Sequence, residues 1–249
     1  MDNATRYHFS DFTLSEYDLL IKKAKEDYIF RSFHDFGKDE RFILWRHDVD
    51  FSMHAARNLA QIEHQNGVKS TFFILPHSEY YNLFEKEITD LVKEIIALGH
   101  EIGLHFDSHY YGINNEKDLN KYLLQEKRWL EEIFKIDIKV FSFHVTTPFT
   151  MTCEAWTYAG LINTYASYFK ENVEYCSDSH GRWRFKRLKE LLAEASAPCL
   201  HILTHPEWWQ QEPMSPWQKI DRCVSLRAEK NREFYKAALV KLNTPNIDW

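Results

Sequence analysis

The sequence is poor in several features, and each shortage narrows what the chain does. Four cysteines occur in 249 residues (Cys153, Cys176, Cys199 and Cys223), each separated from the next by 23 positions or more and none in a CxxC pair. That spacing argues against a disulfide framework and a thiolate zinc site, and leaves reduced core residues. No run of 18 or more consecutive apolar residues is present, so no transmembrane segment is expected. The opening MDNATRYHFSDFTLSEYD has neither the basic nor the apolar region of an export signal, and a soluble, cytoplasmic protein is the expectation. With a formal net charge of -6 and no basic block, nothing in the chain attracts a phosphate backbone or an anionic membrane, so nucleic acid is not expected as a partner. Repeats, low-complexity runs and Pro/Gly/Ser linkers are missing as well, which points to one continuous domain over residues 1–249.

What the chain does have is alternation. Short apolar, β-rich segments at 42–46, 70–75, 101–106, 139–143 and 200–204 are separated by helical patterns at 53–65, 83–98, 117–134 and 188–195, with a long one at 216–242. Asn66-Gly67 and Leu98-Gly99 fit helix C-caps placed just before the next strand. Residues 1–40 read as a helical extension ahead of this pattern. Alternating strand and helix predicts a parallel sheet, and 249 residues with 44% hydrophobic composition suit an α/β barrel.

The polar residues collect in one kind of place. HDVD, HFDSH, FHVTTP and THPEWW each lie at or just after the end of an apolar strand, the catalytic end of a parallel α/β protein. Polar residues there also serve as ordinary turn formers, but four histidine-bearing segments together favour a site. A hydrolytic metal centre needs about three imidazole or carboxylate ligands and one open position. His105 and His109 supply an H-x3-H pair, and Asp48 and Asp50, two apart on a strand, point the same way. One carboxylate is then available to bind a metal and the other to take a proton from its water. The competing role for both aspartates is to cap the helix that starts near Met53.

The run RHDVD, a helix, KSTFFIL and then GHEIGLHFDSH resembles the polysaccharide deacetylase family, also called the NodB homology domain or carbohydrate esterase family four. The likeness spans about residues 42–209, and within the family it is similar to deacetylase-like proteins of bacterial O-antigen and capsule gene clusters. The resemblance implies a distorted (β/α)7 barrel and one divalent metal ion, Zn2+ by expectation, held by Asp50, His105 and His109, with Asp48 as base. In ILTH the family's late motif is matched by Leu203 as pocket wall and His205 as the acid. SDSHGRW resembles the motif in which an aspartate, here Asp178, orients that histidine and a tryptophan, here Trp183, lines the pocket. Trp208 is placed against the sugar ring.

Two departures go with the resemblance. Val49 separates aspartates that are adjacent in the family, so the ligand and base roles of Asp50 and Asp48 are open to exchange. The family's arginine motif has no match; FSFHVTTP with His144 stands in its place, and Arg46 beside the base is the candidate substitute. Asp107 is open as a ligand or as a partner that orients one. The implied activity is metal-dependent removal of an N-acyl group, N-acetyl in the first instance, from a small-molecule or lipid-linked amino sugar. A cyclic-amide hydrolase of the same superfamily and a catalytically inactive sugar-binding barrel are the alternatives.

Overall fold

In the computed structural model, which describes residues 2–37 and 41–247, the chain runs α1 (Asn3–Arg6), α2 (Leu14–Asp27), β1 (Ile29–Arg31), β2 (Phe42–Val49), α3 (Met53–Gln65), β3 (Thr71–Ile74), α4 (Lys86–Ala97), β4 (Glu101–Asp107) and α5 (Glu116–Phe134). It continues through β5 (Val140–His144), β6 (Thr157–Tyr158), β7 (Leu161–Asn163), α6 (Ser167–Asn172), β8 (Glu174–Ser177), α7 (Leu188–Glu194), β9 (Cys199–Thr204) and α8 (Pro216–Lys241). The expected helical extension holds α1 and α2 but also the short strand β1, which pairs with β2; residues 1 and 38–40 of it lie outside the described residues.

The strands form one curled, half-barrel sheet in the order β6-β7-β5-β4-β3-β2-β9-β8. Seven of these, β7 through β8 along that path, run parallel, and β6 is an antiparallel addition to β7. The helix caps follow the local sequence. Ser52 accepts from the Ala55 amide at the start of α3 and Asn115 from Asp118 at the start of α5, supplying oxygens to amides that have no partner inside the helix.

Strand alternation sorts the core. Ile43 and Trp45 of β2, with Leu200 and Ile202 of β9, pack outward against Tyr17, Leu20 and Ala24 of α2 and Leu191 of α7. Ile74, Ile102, Leu104 and Phe106 pack outward beneath Ile88, Val92 and Leu123 of α4 and α5. The opposite parity, Phe42, Leu44, Phe73 and Val140, fills the floor of the half-barrel with Phe33, Phe169 and Val173. Each such fully buried large side chain is worth roughly 1.5–3 kcal/mol. Gly103 belongs to this inner layer because a β-carbon there would sit 2.6 Å from the Phe73 ring. Above that apolar floor the same inward parity reaches Arg46, Asp48, His105, Ser142 and His144 at the strand ends.

Candidate active site

Asp50 follows β2, His105 lies on β4 and His144 ends β5, and one ligand atom from each falls within 4.8 Å of the others. Asp50 Oδ1 is 3.1 Å from His105 Nε2 and 3.4 Å from His144 Nδ1, and the two nitrogens are 3.3 Å apart. Oδ1 is buried and forms no hydrogen bond. An orphaned carboxylate oxygen facing two imidazole nitrogens is the donor set of a divalent cation such as zinc, so these residues fit a metal ion. Burial would raise the Asp50 carboxyl, but His105, His144 and His205 outweigh it and hold it well below the usual carboxylate range.

The partners around the cluster fix it. His105 Nδ1 donates to Ser142 Oγ at 2.7 Å, which leaves Nε2 for the cluster. Ser142 in turn donates to Asp48 Oδ1 at 3.4 Å. Asp48 Oδ2 takes a hydrogen bond of 3.1 Å from Arg46 and lies 3.7 Å from His105 Nε2. Arg46 also donates to Thr164 Oγ1 at 2.6 Å and lies over the rings of Phe73 and Tyr165. Burial disfavours its charge, yet Asp48 beside it keeps the guanidinium firmly protonated. Asp48 is thus a restrained carboxylate beside the Asp50–His105–His144 cluster, the inward-facing residue before Asp50.

Across the cleft, Asp178 follows β8 and is completely buried. Its carboxylate accepts from the His205 amide at 3.0 Å, from His205 Nδ1 at 2.7 Å and from Trp209 Nε1 at 3.1 Å. His205 Nε2 then points toward the cluster, 4.0 Å from Asp50 Oδ2. Burial works against the imidazolium, but Asp178 and then Asp50 overcome it and raise the His205 pKa to about 10. A ring held protonated at one nitrogen by a buried aspartate is built to deliver a proton from the other.

The remaining sequence-predicted residues are placed differently. His109 lies on the exposed side of the turn after β4, where Asp107 Oδ1 accepts the amides of His109 and Tyr110, and its Nε2 donates to the Val145 carbonyl at 2.9 Å. The second nitrogen of the cluster is therefore that of His144. The physical reason is register: β4 and β5 pair Asp107 with His144, which puts His144 at the level of the cluster, while the Asp107 turn carries His109 past it. Trp183 donates to Asp11 and stacks on Phe12, 5.1 Å between centroids. Trp208 is buried with its ring 6.0 Å from Phe51. Leu203 is buried beside Arg46 in the ladder. Ser142 and Thr164 carried no signal in the sequence beyond the inward parity that Ser142 shares with His144.

The half-barrel thus carries three residues that could hold a metal ion and, facing them, a carboxylate–imidazole pair. Residues 49–160 match the polysaccharide deacetylase family. Similar solved structures include a CE4 family pseudoenzyme from Bacillus anthracis (15% identity, TM-score 0.44, 78% of this chain and 63% of that one). A family 4 carbohydrate esterase from Bacillus anthracis is 14% identical, with TM-score 0.45 and 86% of both chains covered. The chitin deacetylase from Colletotrichum lindemuthianum is 17% identical, with TM-score 0.43, 76% of this chain and 84% of that one. The chain spans 63–65% of the length of the three pseudoenzyme structures it resembles. No curated protein matches it. Among the described residues, no helix is long and apolar enough to cross a membrane.

Proposed function

We propose that the chain, acting as one barrel-type unit, is a metal-dependent hydrolase that removes an N-acyl group, in the first instance N-acetyl, from an amino sugar of a surface-polysaccharide precursor. The observation that carries the reading is the pairing of a buried Asp50–His105–His144 cradle with Asp48 on one side and the Asp178–His205 pair on the other. Asp50, His105 and His144 would hold the ion. A divalent ion there, Zn2+ in this reading, supplies Lewis acidity and lowers the pKa of water toward ~7.

The chain's own residues do the rest. Asp48, oriented by Arg46 and Ser142, accepts the proton of the attacking water. His205, held by Asp178, gives its proton to the nitrogen of the breaking amide, which otherwise leaves poorly as an amide anion. The substrate in this reading is a small-molecule or lipid-linked sugar.

The test is acetate release by zinc-loaded protein from N-acetylglucosamine oligomers and from a nucleotide-linked N-acetylamino sugar, with Asp48→Asn as control. Release that the control abolishes supports the reading. Zinc-loaded protein that binds these sugars and releases nothing overturns it in favour of a binding barrel.

A further inference from the structure

Val145, immediately after His144, has φ of +43° and its side chain is 61% exposed. A β-branched residue in the left-handed region is a conformational outlier, because its branched β-carbon crowds the following carbonyl. Burial does not hold this valine there. What touches its backbone is His109, whose Nε2–H donates to the Val145 carbonyl at 2.9 Å. His109 is itself fixed from below, since Asp107 Oδ1 accepts its amide at 2.8 Å, and Asp107 is the register partner of His144 across β4 and β5. Asp107, His109, Val145 and His144 thus make a closed loop of contacts that turns the chain sharply at the end of β5 and leaves His144 Nδ1 facing Asp50 and His105.

We propose that His109 is a positioning residue: its hydrogen bond to the Val145 carbonyl stabilises a strained backbone turn and so aims His144 at the metal cradle. The inference rests on the reading of Asp50, His105 and His144 as the metal set. An imidazole that donates through Nε2 has no lone pair on that nitrogen for a metal, so in this arrangement the second histidine of the H-x3-H pair works on the metal through the peptide next to a ligand. Partners that orient metal ligands are typically worth ~10- to 100-fold in metal affinity.

The experiment is a double-mutant cycle read as zinc affinity, by competition with a chromophoric chelator, on the full chain. The variants are His109→Ala, Val145→Gly and both together, with His109→Gln, His144→Gln and the melting temperature of each as controls. Glycine adopts positive φ at no steric cost, so Val145→Gly should keep zinc affinity near the parent's. His109→Ala should weaken zinc by about 10-fold or more, His109→Gln, which retains an N–H donor, should recover part of that, and the loss should shrink sharply when Val145→Gly is already present. Additive effects in the cycle, or zinc affinity unchanged in His109→Ala, overturn the clamp. Zinc lost in His109→Ala and not restored by Val145→Gly, with full affinity kept in His144→Gln, overturns the metal set itself and makes His109 the ligand. A variant with a collapsed melting temperature is replaced by His109→Asn, scored by the same cycle.

Discussion

Arg46 and Asp48, two residues apart on the inward face of β2, are joined by a hydrogen bond of 3.1 Å with both side chains out of solvent. Removing one member of such a pair leaves the other charge buried alone, at a cost of roughly 3–5 kcal/mol. Arg46→Met should therefore lower unfolding free energy by about that amount in urea denaturation. Arg46→Met with Asp48→Asn should recover part of it. A single-variant loss below about 1 kcal/mol, the scale of an exposed pair, would contradict this account.

The three metal-facing residues and the neighbouring carboxylate should fail in different ways. Asp50→Asn, His105→Gln and His144→Gln should each lose bound zinc, measured by elemental analysis after gel filtration. Asp48→Asn should keep zinc yet lose ~10²- to 10⁴-fold in rate, the usual worth of general acid–base help. Zinc lost from Asp48→Asn and retained by Asp50→Asn would exchange the two roles.

His205 should matter according to the leaving group. An amide nitrogen departs only with a proton, whereas an activated aryl acetate expels a good leaving group without one. His205→Ala should slow N-acetyl sugar hydrolysis far more than aryl acetate hydrolysis, with zinc content unchanged. Asp178→Asn should show the same preference in weaker form, because it disturbs the orientation of the ring without removing it. Equal losses on both substrates with a lowered melting temperature would assign His205 to packing.

Acid should weaken the fold through His201, which sits in the floor of the half-barrel against Phe33 and Tyr175 with Nε2 unpartnered. Burial first, and repulsion from Arg46 second, hold its pKa well below 6.5; burial also lowers that of His100. The unfolded chain takes up these protons near pH 6.5 and the folded chain does not, so the stability that these two histidines contribute is complete above about pH 6.5 and falls as the pH drops below it. Each proton contributes a slope of at most about 1.4 kcal/mol per pH unit. His201→Leu should flatten the fall of melting temperature between pH 6.5 and 5; an unchanged slope would show that His201 is charged or accessible in the fold.

Gly103 tests the packing of the floor. A methyl at this position meets the Phe73 ring at 2.6 Å, and overpacking of this kind costs typically 1–3 kcal/mol. Gly103→Ala should be destabilised on that scale, and Phe73→Leu should partly relieve it. A neutral Gly103→Ala would mean that the ring moves aside freely.

Much of this arrangement is legible in the sequence because it follows from strand parity. The 42–46 segment extends in the structure to Val49, so Arg46, Asp48 and then Asp50 continue one inward series. Helix α3 begins and ends where its cap residues, Ser52 and Asn66, place it. The segment from 150 to 177 was not legible: β6, β7, α6 and β8 are two to six residues each, too short for a periodic signal, and their placement depends on pairing with β5 and β9. The site shows the same limit. His105 and His205 sit where a strand end puts them, but the placement of His144 beside Asp50 and of His109 outside that cluster depends on a cross-strand register and on a turn closed by the Asp107 carboxylate. Neither is written in the spacing of the histidines.

The sheet described above has two ends that do not meet: among the described residues no ladder joins β7 to β8, and the gap is filled by side chains such as Phe169 and Val173. Asp50, His105 and His144 lie on or just after β2, β4 and β5, whereas Asp178 and His205 follow β8 and β9 on the other side of β2. Because β2 and β9 are hydrogen-bonded neighbours, with His47 paired to Thr204, the 4.0 Å between His205 Nε2 and Asp50 Oδ2 is set by a backbone ladder inside the sheet and not by the packing at its open ends.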